Sequence, residues 1–342
     1  MQIKNLTVTG HEHLASCTDD NGYHGLIAIH NTRLGDALGG TRLWQYRNED
    51  EALDDVLRLA RGMTYKNALA GIPFGGGKSI VLMKDWSSDR EAIFRTHGRF
   101  VDTFGGLYIT AEDVGTTPYD MEHVRKETRH VAGLMSGAGD PSPSTARGVL
   151  RAMQAAAKYR WGSDSLAGRT VAIQGCGKVG YYLASYLYAA GARLIVSDVD
   201  ANKAANVANQ FDAVELAPEE IYDAEADIFA PCALGGAIND ETIGRLRTEI
   251  VAGAANNQLR EPRHGDELAA RDVLYAPDYA ANAGGVIHGC RDLLAWDPAR
   301  TTAKIDEIYE TVLNIFYMAA SERIATYKAA DQLAEERLSK AG

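Results

Sequence analysis

The spacing of apolar residues along this chain changes several times, and each change marks an expected element. Gly25-Leu26-Ile27-Ala28-Ile29-His30 is a continuous apolar run of strand length. Between residues 50 and 63 the apolar positions Leu53, Val56, Leu57, Ala60 and Met63 recur at the three-and-four spacing of a helix. Residues 80–83 and 107–110 read as short strands ending in turn or polar residues. The run Ser136-Gly137-Ala138-Gly139-Asp140-Pro141-Ser142-Pro143-Ser144 breaks the pattern, because Gly and Pro at that density sustain neither a helix nor a central strand. Ser144 or Thr145 is then placed to cap a helix over about 146–159.

Beyond the break the pattern alternates. A strand at 170–174 precedes a helix at 179–190 and a second strand at 193–197, and further strands fall at 226–230, 250–252 and 273–275. That rhythm predicts a doubly wound α/β domain. The tail from about 301 to 340 is expected to be helical, with Ile305, Ile308, Val312, Ile315 and Phe316 on one face. The fold class is therefore α/β, in two domains across a cleft. Length agrees, since 342 residues exceed the roughly 250–300 that one core supports.

Charge narrows the partners. Lys and Arg total 35 against 46 Asp and Glu, a net charge of −11, which argues against a nucleic-acid surface or an anionic membrane face. No apolar run approaches the roughly 18–20 residues of a membrane helix, and the first residues lack a signal-peptide pattern. Cys17, Cys176, Cys232 and Cys290 are scattered without metal-ligand spacing, so they read as reduced thiols and no metal site is expected. A cytoplasmic protein is the expectation.

Candidate chemistry concentrates in two places. Gly175-Cys176-Gly177-Lys178-Val179-Gly180 follows one expected strand and opens the next helix, the context a dinucleotide fingerprint requires. Gly175 allows the tight turn, Gly177 lets backbone approach a pyrophosphate, and Gly180 lets helix and strand pack closely. Asp198 ends the next strand, 18 residues beyond Gly180, where a carboxylate accepts the ribose hydroxyls of NAD and repels the 2′-phosphate of NADP. The plainer alternative is that Asp198 only caps a turn.

The second place is residues 62–81, where only Lys66 and Lys78 carry charge among twenty positions. Lysines normally sit among polar neighbours, so two in an apolar, glycine-rich stretch point to ammonium groups in a cleft, with Gly75-Gly76-Gly77 giving a ligand access to backbone. A phosphate-binding P-loop is ruled out, because Ile72 stands where its first glycine belongs. The bland alternative is two lysines snorkelling to solvent. Against it stands Thr110-Ala111-Glu112-Asp113-Val114-Gly115, which puts carboxylates at a strand end.

Taken in order, these segments resemble the glutamate/leucine/phenylalanine/valine dehydrogenase superfamily, and within it the leucine and phenylalanine enzymes. The resemblance covers roughly residues 25–338. It rests on Gly39-Gly40-Thr41-Arg42, Gly62-Met63-Thr64-Tyr65-Lys66, Gly75-Gly76-Gly77-Lys78, the segment around Asp113, and Gly139-Asp140-Pro141-Ser142-Pro143. Further matches are Asp227-Ile228-Phe229-Ala230-Pro231-Cys232-Ala233-Leu234-Gly235-Gly236, Glu261-Pro262-Arg263-His264-Gly265-Asp266 and Tyr275-Ala276-Pro277-Asp278-Tyr279. Asp140 departs from the asparagine usual in that family, which touches a loop and not the reaction.

The resemblance implies an N-terminal substrate-binding and oligomerisation domain over 1–140, completed by a helix at about 318–342, and a Rossmann NAD-binding domain over 141–317. It implies reversible oxidative deamination of a hydrophobic L-amino acid by NAD to a 2-oxo acid and ammonia, in a homo-oligomer between dimer and octamer. Lys66 would bind the substrate carboxylate, Lys78 would be the base, and Asp113 would assist proton transfer. Gly40 and Asn282 would also meet substrate. Thr145, Ala233, Asn256 and Asn257 would join the glycine turn and Asp198 around the cofactor. Burial and repulsion from Lys66 are expected to lower the Lys78 pKa, and domain closure would hinge near 136–144 and in the C-terminal helices.

The side-chain pocket would be lined by Leu38, Ala111, Val286 and Gly289, the last replacing a valine usual in leucine dehydrogenases. If 282–291 is a helix, Val286 and Gly289 share a face, and the missing side chain makes room for larger substrates; the alternative is that Gly289 only relaxes packing. Two rival functions remain. A hydroxy-acid or alcohol dehydrogenase would need a His or zinc at the carbinol, and His264, in an expected polar loop, reads as structural. An inactive NAD-binding protein would be expected to lack Lys78 or Asp113, and both are present.

Overall fold

A computed structural model of the chain describes residues 1–83, 89–135, 137 and 139–341. The first sheet comprises β1 (Gln2–Leu6), β2 (His13–Thr18), β3 (His24–Asn31), β4 (Ala37–Leu38), β5 (Thr41–Trp44), β6 (Gly75–Leu82) and β7 (Tyr108–Ile109). With it go α1 (Glu49–Ala70), α2 (Arg90–Asp102) and α3 (Pro118–Arg125). Strand order is β1-β2-β3-β6-β4-β7, with β5 also paired to β6. The continuous apolar run of β3 has a simple cause. Ile27 and Ile29 enter one core with Leu43, Val81, Phe94 and Tyr108, while Leu26 and Ala28 enter another with Val56, Ala60 and Ile80. A strand covered on both faces is apolar at successive positions.

Two expectations are corrected here. The helix expected over 50–63 runs on to Ala70, capped by the Asn48 side chain at its start and by left-handed Gly71 at its end, so it carries Lys66. The glycines before Lys78 form no ligand-access loop but open β6, which is antiparallel to β3 and parallel to β4 and β5. A Cβ on Gly75 would collide with the Asn31 carbonyl oxygen, one on Gly76 with the Thr64 backbone nitrogen, and one on Gly77 would lie 2.9 Å from the Tyr108 ring. These glycines admit protein.

The second sheet contains β8 (Thr170–Gln174), β9 (Arg193–Ser197), β10 (Val214–Glu215), β11 (Ile228–Pro231), β12 (Ile250–Val251) and β13 (Leu274–Tyr275). All pairings are parallel, in the order β10-β9-β8-β11-β12-β13, the doubly wound order of a dinucleotide-binding domain. Helices α4 (Ser142–Trp161), α5 (Lys178–Ala189), α6 (Ala201–Phe211) and α7 (Arg263–Ala270) precede or link the strands, and α8 (Asp278–Ala281) and α9 (Gly284–Leu293) follow the last of them. The chain ends in α10 (Pro298–Asp306), α11 (Ile308–Glu322) and α12 (Thr326–Lys340), with Ile305, Ile308, Val312, Ile315 and Phe316 buried as the spacing required.

The expected break at 136–144 includes Ser136 and Ala138, which lie outside the described residues. Its last part is not a break. α4 starts at Ser142 with Pro in its first turn, where no intrahelical N–H is needed. Neither Ser144 nor Thr145 is its cap; the Thr145 hydroxyl donates to the Pro141 carbonyl at 3.0 Å.

The chain groups into two units, Met1–Gly139 with Gly289–Trp296 and Ala334–Gly342, and Asp140–His288 with Asp297–Leu333. Residues 318–333, expected with the first, fall in the second, because the Thr326 hydroxyl bonds the Tyr275 carbonyl and the Tyr279 hydroxyl donates to Asp331. From Ala334 onward the partners are in α1: Tyr65 bonds Glu335, and Arg337 donates to the carbonyls of Ala68 and Leu69 at 2.9 and 2.7 Å. Among the described residues no helix is long and apolar enough to cross a membrane.

Candidate active site

Lys78 sits in the middle of β6 and is only 5% exposed. Its ammonium lies 2.9 Å from Oδ2 of Asp113, which comes from the loop after β7. Arg42, on β5, donates through Nε to the same oxygen at 3.1 Å. Burial pushes the Lys78 ammonium below the ordinary lysine range; Asp113 pulls it back up and Arg42 pushes it down. Asp113 is held below the usual carboxylate range, because Lys78 and Arg42 together outweigh its burial.

The local chain explains why these groups meet. A Cβ on Gly40 would lie 2.9 Å from the Asp113 Cβ, so glycine is needed for β5 to start beside that loop. The loop is closed by Thr116, whose hydroxyl accepts from the Asp113 N–H at 2.8 Å and donates to the Thr41 carbonyl at 3.0 Å. Beneath it runs a buried polar chain: Tyr23 hydroxyl to His97 Nδ1 at 2.8 Å, His97 Nε2 to Thr41 Oγ1 at 2.8 Å, and Thr41 Oγ1 to Ser79 Oγ at 2.7 Å. Burial lowers the His97 pKa to about 3, so this imidazole stays neutral.

The other residues named from sequence are placed as follows. Lys66 is half-buried in α1. Leu38, buried, pairs with Gly76 and Ile109, and the carbonyl of half-buried Ala111 accepts from the Thr41 N–H at 2.7 Å. Residues 284–293 do form a helix, α9, so Val286 and Gly289 lie three apart on it, both half-buried. Nothing lies within 4 Å of where a Gly289 Cβ would be. In the second unit Asn282 is buried and donates to the Asn256 side chain at 2.8 Å, bringing two named residues together; Asn257 is exposed.

The turn between β8 and α5 has the geometry of an anion cradle. Gly175 has φ +102, and its Cβ would fall 2.8 Å from the backbone nitrogen of exposed Ala233. A Cβ on Gly180 would collide with the Gly175 carbonyl, so helix and turn touch there. Gly177 faces open space, and α5 begins without a side-chain cap. Free N–H groups at such a helix start suit a phosphate. Cys176 is buried, Val179 is half-buried, and Lys178, largely exposed, makes a 3.4 Å ion pair with Asp140. The carboxylate of Asp198 accepts from the Cys176 N–H at 2.7 Å and the Asp200 N–H at 2.8 Å. It thus does cap the turn, and sits at the rim of the cradle.

Comparison with known proteins gives the family. The family described as Glu/Leu/Phe/Val dehydrogenase, dimerisation domain, matches residues 11–130, and the Glutamate/Leucine/Phenylalanine/Valine dehydrogenase family matches 137–202 and 196–342. The chain belongs to the glutamate/leucine/phenylalanine/valine dehydrogenase family. Leucine dehydrogenase of Geobacillus stearothermophilus is 49% identical over 98% of this chain and 93% of its own length. Phenylalanine dehydrogenase of Lysinibacillus sphaericus is 44% identical over 97% of this chain and 89% of its own. The crystal structure of L-tryptophan dehydrogenase from Nostoc punctiforme matches with a TM-score of 0.88 at 43% identity, over 97% of both chains. This protein is an amino acid dehydrogenase.

In this dehydrogenase His264 is not in a polar loop. It is fully buried in α7, with Nε2 3.1 Å from Asp240 and Nδ1 accepting from the Glu261 N–H at 3.0 Å. Asp240, His264 and Glu267 bring ligand atoms within 4.8 Å of one another, a convergence that spacing did not reveal. Arg263 already pairs with Asp240, Glu261 and Glu267 there. Sequence reasoning also missed Arg42 and the His97 chain. Arg42 was visible within Gly39-Gly40-Thr41-Arg42, but its partner Asp113 is 71 residues away.

Proposed function

We propose that the enzyme catalyses reversible, NAD-dependent oxidative deamination of a hydrophobic L-amino acid to its 2-oxo acid and ammonia. The observation that carries this reading is the buried Lys78 ammonium held 2.9 Å from Asp113. Near neutral pH a base must give up its proton readily, and desolvation moves a lysine in that direction.

The open face at Gly177, the uncapped α5 start and the Asp198 carboxylate fit a dinucleotide, with Gly175–Gly180 at the pyrophosphate, Asp198 at the ribose and Thr145, Ala233, Asn256 and Asn257 around it. A bound NAD, held by the Gly175–Gly180 turn and Asp198, would supply the acceptor for the hydride that leaves the amino acid Cα. Lys66 and Gly40 hold the substrate, the lysine by pairing with its carboxylate. Hydride loss from the neutral amine gives the iminium directly and releases no proton. Neutral Lys78 takes one proton from the water that adds to the iminium carbon, passes it to the nitrogen, and takes the hydroxyl proton as the carbonyl forms and ammonia departs. Asp113 faces the positive charge as it forms and is already ionised, so no reorganisation is needed at that moment.

Relatives named for leucine, phenylalanine and tryptophan support an apolar substrate. Open space at Gly289, three residues after Val286 on the same helix, supports acceptance of large side chains beside leucine. The matched dimerisation domain supports a homo-oligomer between dimer and octamer, and four free thiols support a cytoplasmic setting. Following NADH absorbance with a panel of 2-oxo acids tests the reading. Ammonium-dependent oxidation is expected; turnover without ammonium points to a hydroxy-acid enzyme, and silence with every substrate to an inactive binder.

A further inference from the structure

We propose that Arg42 is a positioning residue for the Lys78–Asp113 pair: it shares the Asp113 oxygen that Lys78 uses, is anchored from behind by Asp55, and so sets the pH at which Lys78 can act as a base. The inference rests on the reading of Lys78 as the base.

The geometry is a relay of charges. Asp113 Oδ2 accepts from Lys78 at 2.9 Å and from Arg42 Nε at 3.1 Å. The other arm of the guanidinium, NH1, donates to Asp55 Oδ2 at 2.9 Å. Asp55 is fixed in turn by the Tyr46 hydroxyl at 2.7 Å and by Arg58 at 2.6 Å. An arginine fork held at both ends leaves the carboxylate little rotational freedom. Because both cations use one oxygen, Asp113 divides its attraction between them.

The register makes this a property of the site. Arg42 pairs with Ile80 across β5 and β6, two positions from Lys78. The largest charge effects on Lys78 come from Asp113 in the loop after β7, Arg42 on β5 and Asp55 on α1; the repulsion expected from Lys66 is not among these largest effects. On its other side β3 places uncharged Ala28 opposite Lys78, and β4 contributes only Ala37 and Leu38. Arg42 is thus a like charge that favours the neutral amine, and Asp55 an opposite charge that limits it. The outer end of the relay is wet, since Arg42, Tyr46, Asp55 and Arg58 help line a cavity of 530 Å³. A neutral residue at position 55 can be solvated there.

The signs follow. Loss of Arg42 removes a repelling charge and leaves Asp113 to Lys78 alone, so Lys78 holds its proton to higher pH. Loss of Asp55 removes a distant attracting charge and gives Arg42 wholly to Asp113, so Lys78 releases its proton at lower pH. A role in folding alone moves neither limb.

The test is the pH profile of kcat/KM for deamination with leucine and NAD. Arg42→Gln should shift the acid limb upward by about one pH unit and lower kcat about ten-fold or more. Arg42→Lys, which keeps the charge but not the fork, should restore the limb while kcat stays several-fold low. Asp55→Asn should shift the limb downward. If Arg42→Gln does not fold, the other two variants decide. An unmoved limb in Asp55→Asn, or limbs moving the same way in Arg42→Gln and Asp55→Asn, would overturn the proposal. Lys78→Ala separates the two claims. An acid limb that persists in its residual turnover sinks the reading of Lys78 as base. A limb that vanishes there yet stays put in Arg42→Gln sinks only the role given to Arg42.

Discussion

Gly75-Gly76-Gly77-Lys78 and Gly175-Cys176-Gly177-Lys178 carry nearly the same local text, and they fold into opposite surroundings. In the first, every glycine is pressed against protein: Asn31, the backbone of α1, and Tyr108. The lysine that follows has a side chain 6% exposed and is paired with a carboxylate. In the second, Gly175 and Gly180 are pressed together, but Gly177 faces open space and the next lysine is 78% exposed. One segment is a strand with neighbours on both sides; the other is a turn at the end of β8, where strand gives way to helix. A glycine therefore marks close approach without saying by what. In the first segment it is protein, and in the second there is room for a ligand.

The strongest way to break the comparison is through the lysines. Lys78→Ala should lower kcat by about a thousand-fold or more with NAD binding intact, since general base catalysis contributes roughly 10²–10⁴. Lys178→Ala should change kcat less than about three-fold, because its exposed ion pair is solvent-screened. Lys66→Ala should act chiefly on the amino acid KM. Comparable losses of kcat from Lys78→Ala and Lys178→Ala would mean burial does not separate their roles.

The glycines give the next largest effect. Gly76→Ala forces a methyl into the backbone of α1, and should cost about 3 kcal/mol of stability or more, read from denaturant unfolding. Gly177→Ala, with an ordinary φ of −67 and nothing nearby, should melt within a few degrees of the parent while its affinity for NAD falls. Matched melting temperatures for the two variants would erase the distinction between filled and open glycines.

The cofactor comparison is sharper and smaller. Asp198→Ala should reduce the preference of kcat/KM for NAD over NADP by about ten-fold or more, because removing the carboxylate relieves repulsion of the 2′-phosphate. Equal use of both cofactors by the parent enzyme would assign Asp198 to its turn-capping bonds alone. Smallest is Gly289→Val, which should cut kcat/KM for phenylalanine more than for valine. A pocket methylene is worth only about 1–3 kcal/mol, so a graded change in size ranking is expected. An unchanged ranking would mean that Gly289 merely relaxes packing.

The order of motifs from Gly39 to Tyr279 was enough to read family and reaction class, and the strand, glycines and helix around Gly175 were enough to read the nucleotide-binding domain. Local spacing carries that information because turns and helix starts are made by neighbouring residues. It failed where contacts are remote. Nothing near His264 announces Asp240, which is 24 residues away, and nothing near Arg42 announces Asp113. The extent of β6 was missed for a related reason. Three glycines have no strand preference of their own, and only pairing with β3, β4 and β5 makes them one.

By itself the sequence determined which groups are available: two lysines in an otherwise uncharged stretch, an aspartate at a strand end, a glycine turn followed by an acid. Those are matters of composition and short-range geometry. Tertiary structure alone decided which group touches which, and hence how each is charged. Lys78 and Arg42 are far apart in the chain, yet on paired strands they share one oxygen of Asp113, which a loop brings to them. A pKa depends on burial and on charges within a few ångströms, and neither quantity exists until the strands have paired.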